Sequence, residues 1–166
     1  MKKLYLIRHA KSGWKEAGKT DHERALNHRG IKDAPFMANL LKSKGIKPDL
    51  ILTSDAVRAR TTAQLMAPVF GYPPEEILSE SSLYLAGAHE ILREVNLIDD
   101  KAECCFLVAH NPGISGFTSY ITGSQGVDMP TCAVCGVEFD AVSWSDIKPA
   151  SGKLFLYEFP KKYSGE

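Results

Sequence analysis

The chain has 166 residues, 44% hydrophobic and 24% charged, with 20 basic residues balanced by 20 acidic ones. That length suits a single domain over residues 1–166 that buries about two-thirds of its unfolded surface. Zero net charge argues against nucleic acid or an anionic membrane as partner. No apolar run reaches bilayer length and no secretory core precedes the first strand, so a cytoplasmic protein is expected.

Leu4–Ile7 is a short aliphatic and aromatic run without helical period, as in a strand buried on both faces, and Arg8 and His9 stand at its C-terminal end. Residues Gly13–Asn27 are polar and aperiodic and read as a long loop. A helix is expected over Arg29–Lys44, capped by Asn27, with Ile31, Ala34, Met37, Ala38 and Leu41 inward and Gly45 as its stop. Pro35 predicts bent first turns or a later start. Pro48–Ser54 reads as a strand, Ala56–Phe70 as a helix, Ile77–Leu78 as a short strand and Ala88–Leu97 as a helix. Cys104–Ala109 follows as a strand, Gly113–Thr122 as a helix and Gly123–Pro130 as a loop. Cys132–Phe139 and Lys153–Phe159 alternate well enough for strands at the sheet edge, and the tail from Lys161 to Glu166 is expected to fray. The fold class is therefore α/β: one domain with a mostly parallel central sheet, helices on both faces and no cap domain.

The four cysteines keep the intracellular reading. Cys104 and Cys105 lie in strand-like sequence, where cysteine acts as a small hydrophobe. Cys132 and Cys135 have the spacing of a zinc knuckle or redox pair, but no second pair or neighbouring histidines accompany them, so no metal site is expected.

Three of the expected strands end in polar residues. The first delivers Arg8 and His9, and the second ends at Thr53-Ser54 with Arg58 one turn into the following helix. The third ends at His110, followed by Asn111-Pro112-Gly113 and a helix N-terminus. In a parallel sheet these ends share one edge, and two guanidiniums, two imidazoles and a helix N-terminus converge there. A bound dianion makes sense of such crowding, and phosphate is the obvious one.

Leu6-Ile7-Arg8-His9-Ala10, Thr53-Ser54-Asp55-Ala56-Val57-Arg58-Ala59-Arg60-Thr61-Thr62-Ala63 and Ala109-His110-Asn111-Pro112-Gly113 together resemble the histidine phosphatase superfamily, whose fold is called phosphoglycerate mutase-like. Asp21-x-x-Arg24-x-Leu26-x-x-Arg29-Gly30 and Leu83-Tyr84 resemble its short phosphohistidine phosphatases of the SixA type. The resemblance implies that His9 is the nucleophile and that Arg8, Arg58 and His110 hold the phosphoryl oxygens. Two positions depart from the family pattern. Ala10 replaces the usual glycine, and Lys15 replaces an asparagine of the mutases, where it could add another positive group at the phosphate site.

The chemistry expected of these residues is phosphoryl transfer through a phosphohistidine at His9, with no metal and no cofactor. His9 needs a partner on its non-attacking nitrogen, a backbone carbonyl for preference, and His110 is expected to be protonated. Asp21 is the first candidate for general acid, with Glu80 and Glu90 behind it. The short connections leave an open pocket, which fits a phosphorylated protein, such as a phosphohistidine domain, better than an enclosed metabolite. A broad-specificity phosphatase for small phosphorylated substrates and a catalytically silent phosphate-binding module are the alternatives.

Overall fold

A computed structural model describes residues 1–14 and 16–164. Six strands form one sheet: β1 (Lys2–Arg8), β2 (Leu50–Ser54), β3 (Leu78–Glu80), β4 (Cys104–Ala109), β5 (Val134–Phe139) and β6 (Lys153–Glu158). Their order is β3-β2-β4-β1-β5-β6. The β3–β2, β2–β4 and β4–β1 pairs are parallel, whereas β5 is antiparallel to both neighbours. Thus β5 alone runs against the rest, and the C-terminal ends of β1, β2 and β4 do lie along one edge.

Alternation along β1 explains the two cores. Leu4 and Leu6 face the layer built on α3 (Ala88–Asn96) and α4 (Gly113–Thr122), with Ile91, Val95, Ile114 and Phe117. Tyr5 and Ile7 face α1 (His28–Ser43) and α2 (Val57–Met66), with Ala34, Met37, Ala59 and Met66. Cys135 on β5 lies in the first core, and Cys132, in the turn before β5, lies in the second, on the opposite side of the sheet. One zinc ion could not take both thiols.

Helix α1 begins where the cap predicts, since the Asn27 side chain accepts the Gly30 N–H at 2.9 Å. Two expectations about it need correction. Pro35 lies inside a helix that runs unbroken from His28, and Ile31 is half exposed while Gly30 takes the inward place. A Cβ on Gly30 would stand 2.2 Å from the Lys11 carbonyl oxygen, so only glycine lets α1 approach the loop after β1 this closely. The second helix is shorter than expected, because its last turn, Ala67–Phe70, tightens to 3-10 geometry. Of the tail expected to fray, Lys161–Ser164 forms the one-turn α5, held by the Tyr163 hydroxyl and by Lys162 (3.2 Å) on Glu158, and Gly165 and Glu166 lie outside the described residues. No helix among the described residues is long and apolar enough to cross a membrane.

Candidate active site

The edge shared by β1, β2 and β4 brings four expected residues together. His9 and His110 follow the last residues of β1 and β4, with ring centroids 5.1 Å apart. Arg58 enters from the first turn of α2 and is 2% exposed. Arg8 ends β1 and donates from Nη1 to the Met129 carbonyl at 2.9 Å, an oxygen that Asn111 also engages from its amide at 2.9 Å.

His9 is held in one tautomer. Its Nδ1 lies 2.8 Å from the Ala10 carbonyl oxygen, which can only accept, so Nδ1 carries the proton and Nε2 presents a lone pair. The backbone partner expected from sequence is thus present, supplied by the next residue. The Ala10 N–H is taken by Thr62 Oγ1 at 3.0 Å, and Thr62 Oγ1 donates to the Arg58 carbonyl at 2.8 Å, which ties the His9 loop to α2. Burial first, then the charges of Arg58, Arg8 and Arg24, push the His9 pKa down to about 4. His9 is neutral at pH 7, as a nucleophile requires.

His110 carries no charge in the free protein. Burial, then His9 and Arg58, push its pKa down to about 3, so it is a neutral imidazole beside cations rather than a cation itself. Its Nε2 lies 2.8 Å from Ser54 Oγ, which already accepts the Ala56 N–H at 3.2 Å. With the Ser54 O–H donating to Nε2, the ring proton of His110 sits on Nδ1. That nitrogen is buried and has no partner among the described residues.

Asp21 is also in the site, where it is bound to Arg58. Arg58 donates from Nη1 to the Asp21 carbonyl at 2.7 Å and from Nη2 to its Oδ2 at 3.0 Å. Tyr84 donates to the same Oδ2 at 2.5 Å, and Arg24 stands 3.4 Å from Oδ1. The Tyr84 hydroxyl, then the Arg58 and Arg24 charges, hold this carboxyl below the usual carboxylate range, the opposite of what a proton donor near neutral pH needs. Asp21 is a clamp that fixes Arg58. Among the described residues, no hydrogen bond or ion pair joins the other two acid candidates to the histidines or to Arg8 and Arg58. Glu80 ends β3 and lines a groove with Leu52 and Leu97, and Glu90 is exposed on α3. Lys15 lies outside the described residues.

The sequence left Tyr84, Thr62, Ser54 and Arg24 without roles. Tyr84 also packs edge-on against His110, with centroids 5.5 Å apart. Thr62 stands four residues after Arg58, on the same helical face, and that spacing was a usable signal. Four buried side-chain nitrogens or oxygens lack a partner among the described residues: Arg8 Nε, Arg24 Nε, Arg58 Nε and His110 Nδ1. All four are nitrogens of this one site, and buried donors are rarely left unpaired without cause.

Comparison with known proteins agrees with the geometry. A sequence model of the histidine phosphatase superfamily, branch 1, matches residues 4–82. An uncharacterised chloroplastic protein of Arabidopsis thaliana is 30% identical over 161 residues, which cover 91% of this chain and 72% of that one. A solved structure assigned to phosphohistidine phosphatase SixA from Agrobacterium tumefaciens superposes with a TM-score of 0.79 at 25% identity, covering 96% of this chain and 98% of the other. Another, assigned to SixA from Nakamurella multipartitia, shares the fold with a TM-score of 0.83 at 22% identity and 96% coverage of each chain. The chain is a phosphatase of the histidine phosphatase superfamily, similar in structure to SixA proteins.

Proposed function

We propose that the protein is a metal-independent phosphatase that works through a phosphohistidine at His9 and acts on phosphohistidine carried by a protein. The observation that carries this reading is the group of four unpaired donor nitrogens around a histidine whose Nδ1 is fixed and whose Nε2 is free to attack. In the first step the Nε2 lone pair forms a bond to phosphorus while the bond from phosphorus to the leaving atom breaks. The leaving group departs with that electron pair and takes up a proton from solvent water. Arg8, Arg58 and the Nδ1–H of His110 stabilise the equatorial oxygens as charge shifts among them. Water then attacks phosphorus, the phosphorus–nitrogen bond breaks, and phosphate and neutral His9 are regenerated.

A dianion brings its own influence on His110. Held against Nδ1, it favours the protonated ring and raises the pKa from about 3. Protonation at Nε2 would then be accepted by Ser54 Oγ.

The leaving group bears on the substrate. With Asp21 serving as a clamp, a phosphoramidate fits better than an alkyl ester, since its imidazole leaves more readily and needs general acid help less. Among the described residues no group of three His, Cys, Asp or Glu could hold a metal ion.

The test is turnover of a phosphohistidine protein against sugar phosphates and p-nitrophenyl phosphate, each with and without EDTA, with acid-labile phosphate trapped at His9. The expected result is preference for phosphohistidine, unchanged by chelation, and no turnover by His9→Ala. Faster turnover of small esters would instead assign a broad phosphomonoesterase. Binding without a trapped intermediate would overturn catalysis.

A further inference from the structure

A second cluster of positive charge adjoins the site. Lys11 lies two residues past His9, Arg29 lies in the first turn of α1, and Lys161 opens α5. Three distant parts of the chain thus meet Arg8 around a cleft of about 260 Å³, floored by Pro130, Thr131 and Phe159. Among the described residues that line it, four are cations and one, Asp33, is a carboxylate, which Arg29 already approaches at 3.5 Å, while Asp128 acts on Arg8 from outside the lining. Among the described residues, neither Lys11 nor Lys161 forms an ion pair. The neighbouring Glu158 does not serve them, since Lys162, Lys44 and the Tyr163 hydroxyl take it. The first turn of α1 carries no acidic residue, so the positive end of its dipole adds to the cluster rather than being neutralised. In a chain of zero net charge, like charges gathered from three segments repel one another, and an anion in the cleft relieves that repulsion.

We propose that this cleft binds a second oxyanion of the substrate, and that the preferred substrate is a phosphohistidine segment with acidic side chains beside the phosphorylated residue. The inference rests on the phosphatase reading above. Arg8 lines the cleft and also ends the strand that delivers His9, so the two sites are continuous. The cleft is open, which suits carboxylates on a flexible flank. Lys11 and Lys161 are long and exposed, so they supply attraction and orientation rather than catalysis.

The experiment measures binding separately from turnover. Two labelled peptides carry a stable phosphoryl-triazole analogue of phosphohistidine, one flanked by Glu and the other by Gln. Fluorescence anisotropy gives their affinities for wild type and for the double variant Lys11→Gln/Lys161→Gln. Both lysines are exposed, so the variant keeps the fold, and a thermal melt checks this. Wild type should bind the Glu peptide about fivefold to tenfold more tightly, the range set by a few exposed charge pairs. The preference should shrink at about 1 M salt, where screening reaches within about 3 Å. It should fall towards one in the double variant.

Equal affinities in wild type, or a preference that survives in the double variant, would overturn the proposal. A parallel arm compares a hexose bisphosphate with its monophosphate as inhibitors of p-nitrophenyl phosphate hydrolysis. Lysine-dependent preference there, without one among the peptides, would assign the oxyanion to a small metabolite and overturn the acidic-peptide substrate. Failure of the phosphatase reading itself is seen separately, as absence of a trapped phosphohistidine at His9.

Discussion

Replacing Asp21 by asparagine separates a clamp from an acid. The carboxylate holds Arg58 through one charge-assisted bond at 3.0 Å, while the 2.7 Å bond from Arg58 runs to the Asp21 backbone and survives the change. A hydrogen bond to a charged group contributes about 1.5–3 kcal/mol. The Asp21 side chain is 47% exposed, and asparagine keeps an acceptor oxygen, so about 1 kcal/mol is the reasonable loss here. That corresponds to roughly a fivefold fall in kcat/KM, since each 1.36 kcal/mol is tenfold. The fall should be the same for every substrate, because a misplaced Arg58 weakens stabilisation of every phosphoryl transition state. A general acid behaves differently. Its removal costs about a hundredfold to ten-thousandfold, most for the poorest leaving group. The assay is kcat/KM for wild type and Asp21→Asn over a series of aryl phosphates of graded leaving-group pKa, with phosphohistidine added. Two parallel lines are expected when log kcat/KM is plotted against that pKa. A steeper dependence in Asp21→Asn would refute the clamp and restore Asp21 as the acid.

Acid sensitivity should follow the two buried histidines. Their folded pKa values of about 4 and 3 lie below the unfolded 6.5, so the unfolded chain binds more protons and stability falls as pH drops from 6.5 towards 4. For His9 alone the shift is on the order of 3 kcal/mol, which denaturant titrations at pH 7 and pH 4.5 would detect as a lower midpoint. Equal midpoints would mean that the histidines are not buried as neutral rings. Gly113→Ala should be costly, since the new Cβ would stand 1.7 Å from the Ala86 carbonyl oxygen. We expect a loss of about 3 kcal/mol and a Tm lower by roughly 6–12 °C in a thermal scan, and an unchanged Tm would show that α4 shifts freely. Purified protein should carry no zinc at Cys132 and Cys135, and stoichiometric metal lost together with stability on chelation would contradict that.

The site was legible in sequence wherever position along a strand sufficed. Arg8, His9 and His110 stand at strand ends, Arg58 one turn into a helix, and a parallel sheet brings such ends together whatever the loops do. The loop between β1 and α1 was not legible. Asp21 carries the right residue type for an acid, but its role depends on Tyr84, 63 residues away in sequence, and on Arg58, 37 away. No local pattern encodes those contacts. The neutral state of His110 in the free protein was not legible either, because it comes from depth and from the neighbouring His9 and Arg58, which one strand end does not reveal. Ile31 shows the limit of helical period as a guide. It lies on the expected inward stripe, yet Gly30 packs against the Lys11 backbone and takes its place, while Ala34, Met37, Ala38 and Leu41 stay buried as expected. The expected strand from Cys132 starts only at Val134, because Cys132 sits in a turn with a φ of 62°, a backbone state the alternating pattern does not signal.

The depth of the cysteines bears on where such an enzyme can operate. Burial raises the Cys104 and Cys135 thiols to about 12 and pushes Cys105 and Cys132 up as well, so almost no thiolate exists at neutral pH. Peroxide and alkylating agents attack thiolate, and an enzyme whose nucleophile is sulfur stalls when that sulfur is oxidised. The cycle proposed for His9 attacks through imidazole nitrogen and uses no thiolate, and three of the four thiols are buried as well. Such a cycle would continue through an oxidative burst that silences cysteine-dependent phosphatases.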